Sequence, residues 1–321
     1  MGIAGLLPML KNHMEYIEVS DLRGLTIGVD GYSWLYKAIT VHASDVYLRP
    51  ADPSVVEKYV SFCIRKCKAL QAHNIQLYFV FDGEEHPMKK ETNRRRRERK
   101  QEVQAKLEAL LRRGKMAEAK PLMGRCLKVD EAMVNHLIEA LKKIGVPHMI
   151  APYEADPQLV YLEKHGHIDC IATEDSDLIV YGAKRIVFKL NEAHGGEFYN
   201  RERILSNCSL HIKCLLMQLK EIVSLSGCDY TDGISKVGLI TAHKLIMAHS
   251  TVEGAIQHLS KKQGDLGEHI HVCSRVICTF NMHVVKDPKT NKRVHLAGHS
   301  EKENLRPAGD ASFLGVLTPY S

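Results

Sequence analysis

No apolar run in this 321-residue sequence approaches the roughly 18–20 residues that a membrane-spanning helix needs. The apolar start Met1–Leu10 has no basic residue ahead of it, its first lysine being Lys11, so it reads poorly as a secretory leader. None of the nine cysteines forms a C-x-x-C pair, and no H-E-x-x-H occurs among the 18 histidines. Neither a zinc ribbon, a thioredoxin-like motif nor a zinc hydrolase is offered, and free thiols in a reducing compartment are the expectation. Aromatic residues are scarce at 6%, with one tryptophan. No internal repeat is present. The remaining balance, 45% apolar and 26% charged, is that of a soluble globular protein with one large domain or a core with appendages.

Net positive charge is also missing from most of the chain. Between His86 and Lys128 stand 15 Lys/Arg against 5 Asp/Glu, a net of +10. The rest then carries 29 basic and 33 acidic residues, within an overall charge of +6. One segment holds the whole excess, which suggests a localised polyanion contact.

What is there alternates strand and helix. Leu25–Asp30, Gln76–Asp82, Pro147–Ala151, Cys170–Thr173 and Ile186–Leu190 are short β-prone runs. Ser54–His73 puts Val56, Tyr59, Val60, Cys63, Ile64, Cys67 and Leu70 on one helical stripe. Asp130–Ile144 does the same, with Asp130 to cap it and Gly145 to end it. This order argues an α/β fold, a mostly parallel central sheet flanked by helices. From Pro87 to about Arg125 only helix formers occur, with a stop at Gly114, a candidate arch over one sheet edge. After Asn200 the pattern is mainly helical, with a weak hairpin around Asp287-Pro288 and a loose tail from Ala297 onward.

Acids gather at the strand ends. Asp30 closes LTIGVD and Asp82 follows QLYFVF. Glu154 and Asp156 come just after the run ending at Ala151, and Asp175 and Asp177 follow CIAT. Asp229, in LSGCDY, can join from the helical part. Ligands bind beyond the carboxyl ends of strands in open α/β sheets. Two charges about 4 Å apart repel by about 4 kcal/mol at an effective dielectric near ~20, so such a set needs raised pKa values or divalent cations. Oxygen donors alone favour Mg²⁺ or Mn²⁺, and two ions suit in-line phosphoryl displacement. Any single Asp after a strand is equally a helix cap, and a lone D-x-D would serve a sugar-nucleotide transferase. The set of four strand ends favours the metal reading.

The run KKETNRRRRERK, residues 89–100, is by itself a solvated helix face or a nuclear localisation run. On a helix, however, Lys89, Arg96 and Lys100 share one stripe close behind Asp82, where cations would bind a phosphodiester. Arg97 and Arg99 point elsewhere. Tyr32, Trp34 and Tyr36 follow Asp30; one ring can stack on a terminal base, or all can pack in the core, Trp34 first. Ser235–Thr241 is either a phosphate-facing turn or an ordinary helix–helix turn.

The segments MGIAGLLP, VDGYSWLYKA, VFDG, APYEAD, TEDSDLIVYGAKRIVFKL and LSGCDY, in this order, resemble the structure-specific 5′ nucleases of the flap endonuclease (XPG-like) superfamily. YEADPQLVYLEKHG, TEDSDL and LLRRGKMAEAK resemble its exonuclease 1 branch. The similarity is dense over residues 1–190, thinner to 296 and absent from the tail. It implies a PIN-like nuclease core over 1–200 with a helical arch at about 86–128. It further implies a helical DNA-binding region over 201–296 with a helix–two-turn–helix at about 221–250, the loose tail being 297–321. The activity implied is Mg²⁺-dependent 5′→3′ exonuclease action on duplex DNA, with 5′-flap cleavage, in DNA repair or recombination in the nucleus. The alternatives are a strict flap or junction endonuclease and a non-catalytic DNA-end-binding protein. On that resemblance Asp30, Asp82, Glu154 and Asp156 serve mainly a first Mg²⁺, and Asp175, Asp177 and Asp229 a second, with Mn²⁺ a possible substitute. Lys89 and Arg96 engage the scissile phosphate. Gly2, Tyr32, Tyr36, Lys100, Lys236 and Gly238 face DNA.

Three positions depart from the family pattern. Tyr36 stands where exonuclease 1 has His, and Pro157 follows EAD in place of a small residue. Lys236-Val237-Gly238 replaces G-I/V-G, which bears on phosphate and K⁺ binding there. No sliding-clamp box occurs near the end, and the long regulatory tail through which mismatch-repair proteins would bind is not present in the sequence.

Overall fold

The computed structural model describes residues 2–297 and 311–317. One sheet contains β1 (Glu15–Ile17), β2 (Thr26–Asp30), β3 (Gln76–Phe81), β4 (His148–Ile150), β5 (Cys170–Thr173), β6 (Arg185–Asn191) and β7 (Gly195–Asn200), in the order β1-β7-β6-β5-β2-β3-β4. Strands β4, β3, β2, β5 and β6 run parallel, while β7 pairs antiparallel with both β6 and β1. The five expected strands are all present. The two at the antiparallel edge were not expected. β1 is three residues long with an exposed Tyr16, and β7 begins Gly195-Gly196, so neither shows a hydrophobic period until it is paired.

Alternation along the parallel strands feeds a core on each face. Val80, Ile171, Ile186 and Phe188 point to one side, and Val29, Phe79, Phe81, Ala172 and Val187 to the other. Helices Pro53–Ala72 and Glu131–Lys143 cover the second face. Asp52 accepts from Ser54 N at 2.9 Å, Asp130 accepts from Met133 N at 2.9 Å, and Gly145 takes φ 69° just past the end. The other face is covered by Ala155–Lys164 and by the helices that follow Asn200. Ile222, Leu225, Ile246, Ile256, Val276 and Phe280 join the same apolar body as Ile171 and Phe188.

The basic insertion between β3 and β4 forms a helical hairpin, Lys90–Arg112 and Met116–Cys126, turning at Gly114 with φ 68°. Leu107, Ala119, Met123 and Cys126 seal it. The hairpin expected around Asp287 is β8 (Val284–Lys286) paired with β9 (Arg293–His295). The expected loose tail needs correction over 311–317: Phe313 and Leu314 are buried against Met88, Cys278, Met282 and Ala297. The rest of that segment, 298–310 and 318–321, lies outside the described residues. All nine cysteines are free thiols. No helix among the described residues is long and apolar enough to cross a membrane.

Candidate active site

Because the central strands are parallel, their carboxyl ends share one edge. Asp30 ends β2, and its carboxylate caps the next helix by accepting from Ser33 N at 3.1 Å. Asp82 follows β3 and accepts from Ala155 N at 2.7 Å, which ties the loop after β3 to the helix after β4. Gly83 makes that approach possible. A Cβ there would come within 2.1 Å of Ala151 O, and its own N–H donates to Tyr153 O at 2.6 Å. Past β5, Asp177 N donates to Asp175 Oδ1 at 3.0 Å. The Gly227–Gly233 loop brings in Asp229 under the arch.

The structure gathers all seven carboxylates. Asp82 and Asp175 act on Asp30, Asp175 and Asp177 on Asp156, and Asp229 and Glu154 on Asp177. Burial and Asp82 push Asp30 up to about 7, and burial with Asp175 and Asp229 pushes Asp177 up to about 8. Asp156 is raised for the same reasons. Asp82 lies at the accessible rim, yet the protein packed around it and the Glu154 charge raise it too. These shifts mark negative charge without enough counter-charge.

Glu154 differs. Burial opposes its ionisation, but Lys89 and His283 hold its carboxyl well below the usual range. Lys89 Nζ pairs with Glu154 and with Asp229 at 3.0 Å, and Arg96 reaches Asp229 at 2.6 Å. The two basic residues expected at the phosphate therefore already meet the acid cluster. Lys89, however, sits in the short turn Pro87–Lys89 before the arch helix. Lys100 departs from the expected stripe: its ammonium donates to Leu127 O and ties down the end of the Met116–Cys126 helix.

The remaining candidates scatter. Gly2, at φ 103°, packs so closely that a Cβ would stand 2.4 Å from Ser176 Oγ and 2.5 Å from Asp175 Oδ1. Tyr36 is exposed on the helix after β2, Tyr32 is half-buried edge-on to Phe81, and Trp34 is buried against Phe79. Pro157 is the third residue of its helix, where the missing N–H has no intrahelical partner to lose. Lys236 takes φ 63°, a left-handed conformation suited to glycine. Gly238 precedes the Leu239–His249 helix with open space around it.

Sequence reasoning missed the shell around Glu154. His283 Nε2 donates to it at 3.1 Å, Tyr230 OH donates to it, and Tyr181 OH lies at 3.4 Å. Tyr230 directly follows Asp229, a signal that could have been used. His283, stacked on His86 at 4.4 Å, carries none.

The donor set suits a hard divalent cation. All seven groups offer oxygen, and the buried Asp177 Oδ1 has no hydrogen-bond partner. Among the described residues no three His, Cys, Asp or Glu side chains converge closely enough to hold an ion as they stand. Glu154 and Asp229 are turned to Lys89 instead.

The XPG N-terminal domain model matches residues 1–103 and the XPG I-region model residues 145–229. Exodeoxyribonuclease 1 of Schizosaccharomyces pombe is 37% identical over 257 residues, 80% of this chain and 44% of that protein. Exonuclease 1 of Arabidopsis thaliana is 32% identical over 323 residues, 99% of this chain and 43% of that protein. The chain thus spans less than half the length of these relatives. In fold it is similar to the catalytic core of Rad2 in complex with DNA substrate, with a TM-score of 0.60 at 21% identity, covering 86% of this chain and 80% of that one. Flap endonuclease-1 from Methanococcus jannaschii gives a TM-score of 0.54 at 23% identity, covering 82% and 81%. With both XPG regions in place on this sheet, and with its similarity to exonuclease 1 proteins, the chain belongs to the XPG nuclease family.

Proposed function

We propose that this chain is a Mg²⁺-dependent, structure-specific 5′→3′ exonuclease on duplex DNA that also cuts 5′ flaps. The observation that carries the reading is the gathering of seven carboxylates at one sheet edge, four of them with raised pKa values through burial, beneath two cations of a basic arch. Asp30, Asp82, Glu154 and Asp156 would hold one Mg²⁺, and Asp175, Asp177 and Asp229 a second. When bound, such ions stabilise the attacking and leaving oxygens of an in-line displacement. The chain's own contribution is to place the phosphodiester. Lys89 and Arg96 move from Glu154 and Asp229 onto its oxygens, where their charge meets the charge that develops during reaction. Tyr36 offers an exposed ring to a terminal base, and the free helix start at Gly238 offers backbone N–H groups to a duplex phosphate. Nuclear action on nicks, ends or flaps follows from this reading, with DNA as the partner. K⁺ at the turn and mismatch-repair contacts are not needed for it.

Binding without catalysis would be favoured if Pro157 or the altered Ser235–Thr241 turn spoiled the site. Pro157 leaves its helix intact, and Gly238 keeps its open approach, which supports catalysis. The test uses a duplex with a recessed, labelled 5′ end, incubated with Mg²⁺, comparing wild type with Asp175→Ala. Mononucleotides from wild type alone are expected. Single cuts at a junction would make it a strict endonuclease, and intact DNA with binding retained would sink the nuclease reading.

A further inference from the structure

Lys89 is the last residue of the Pro87–Lys89 turn, and that turn is held from outside by a distant part of the chain. Phe313 and Leu314, in the short turn Ser312–Leu314, are 6% and 3% exposed and close over Met88 together with Cys278 and Met282. The Arg275 guanidinium stands 4.7 Å over the Phe313 ring and donates to Met88 Sδ at 3.7 Å. The following residues are clamped to the strand-end loops. Val316 N donates to Tyr153 OH at 2.8 Å. Arg293 donates to Val316 O at 3.1 Å and, with its other Nη, to Glu84 at 2.9 Å. Gly315, at φ 88°, approaches Tyr153 so closely that a Cβ would meet the ring at 2.5 Å.

From inside, the same turn rests on the histidine pair. His86 Nδ1 accepts from Met88 N at 3.3 Å, and the His86 ring stacks on His283, which holds Glu154. Met88 is thus gripped between residues 311–317 and His86, and the next residue is the cation at Glu154 and Asp229. A strap packed elsewhere on the surface would add stability alone. This one bears on the backbone that aims Lys89.

We propose that residues 311–317 form a positioning strap, in which Phe313 and Leu314 fix the Pro87–Lys89 turn and so aim Lys89 into the acid cluster and onto the scissile phosphate. The catalytic consequence rests on the nuclease reading; the placement of Lys89 does not. The test has two arms on the full chain carrying Phe313→Ser and Leu314→Ser. In chelator, without DNA, lysines are acetylated and their extents compared by mass spectrometry, with half-buried Lys66, which donates to Leu190 O at 2.9 Å, as the internal standard for the fold. Lys89 labelling rises about threefold or more while Lys66 stays unchanged, as expected for local release. In single-turnover cleavage the rate falls about ten- to hundredfold, with DNA affinity held within about twofold, since about 1 Å of misplacement has that effect.

The strap substitutions add no further loss in a Lys89→Met background, and Phe313→Tyr with Leu314→Met restores the rate. Unchanged Lys89 labelling, or a rate loss that multiplies with Lys89→Met, would overturn the proposal. Should the double variant also expose Lys66, Leu314→Ala alone is read by the same criteria. If wild type cleaves nothing, the nuclease reading fails while the labelling arm still decides the strap.

Discussion

Asp177 offers a direct measure of the charge stored at the sheet edge. It is 6% exposed, its Oδ1 has no hydrogen-bond partner, and burial with Asp175 and Asp229 pushes it up to about 8. In an unfolded chain it titrates near ~3.9. Between those values the folded chain keeps a proton that the unfolded chain has lost. The resulting stabilisation is complete below the unfolded value and disappears as the pH rises through the folded one. At about 1.4 kcal/mol per pH unit, going from about pH 6.5 to about pH 8 removes about 2 kcal/mol. In a chain of this size that lowers the melting temperature by about 3 °C. Asp30, raised to about 7, adds to the fall in the lower part of the range. The comparison starts near ~6.5 because His86, held down to about 3 by burial and His283, acts in the opposite sense below the ordinary imidazole value. The assay is thermal unfolding in chelator at both pH values, for wild type and Asp177→Asn. Wild type falls by about 3 °C or more and the variant by about 3 °C less, while added Mg²⁺ flattens the wild-type profile. A variant that falls as far as wild type, or a wild type without any fall, would refute the reasoning.

Lys89→Met leaves the Glu154 carboxylate, its side chain 13% exposed, without its main counter-charge; urea unfolding in chelator should show a loss of about 3 kcal/mol, with cleavage down by about a hundredfold. Gly2→Ala drives a Cβ into Ser176 Oγ and Asp175 Oδ1, and timed cleavage assays should show about a tenfold loss, since the segment beside the acid cluster must move. Lys236→Gly relieves a left-handed backbone at φ 63° and should gain up to about 1 kcal/mol in urea unfolding, whereas β-branched Lys236→Val should lose about as much. Leu137→Ala empties a fully buried position on the inner face of the Glu131–Lys143 helix and should lower stability by about 2–5 kcal/mol, read by the same method.

Much of the frame was legible because it depends on local chemistry. LTIGVD and CIAT are strands by composition, Asp130 is a cap by position, and Gly114 ends a helix wherever its neighbours lie. An acid that directly follows a parallel strand reaches the functional edge by topology, so six of the seven carboxylates could be placed from strand ends and Asp229 from its motif. Other features exist only once distant segments meet. β1 is a strand because β7 supplies its hydrogen bonds at the sheet edge, and β7 is one because β6 and β1 flank it. Lys100 shares a helical stripe with Arg96 by periodicity, but the folded arch gives it Leu127 O as a partner. His283 and Tyr181 reach Glu154 across separations of 129 and 27 residues, and Phe313 and Leu314 find Met88 from the far end of the chain. The sequence by itself determined which groups could carry metal and phosphate chemistry, because residue type and strand position are local. Only the tertiary structure decided how their charges are balanced, because burial and Coulomb contact depend on what the rest of the chain brings alongside.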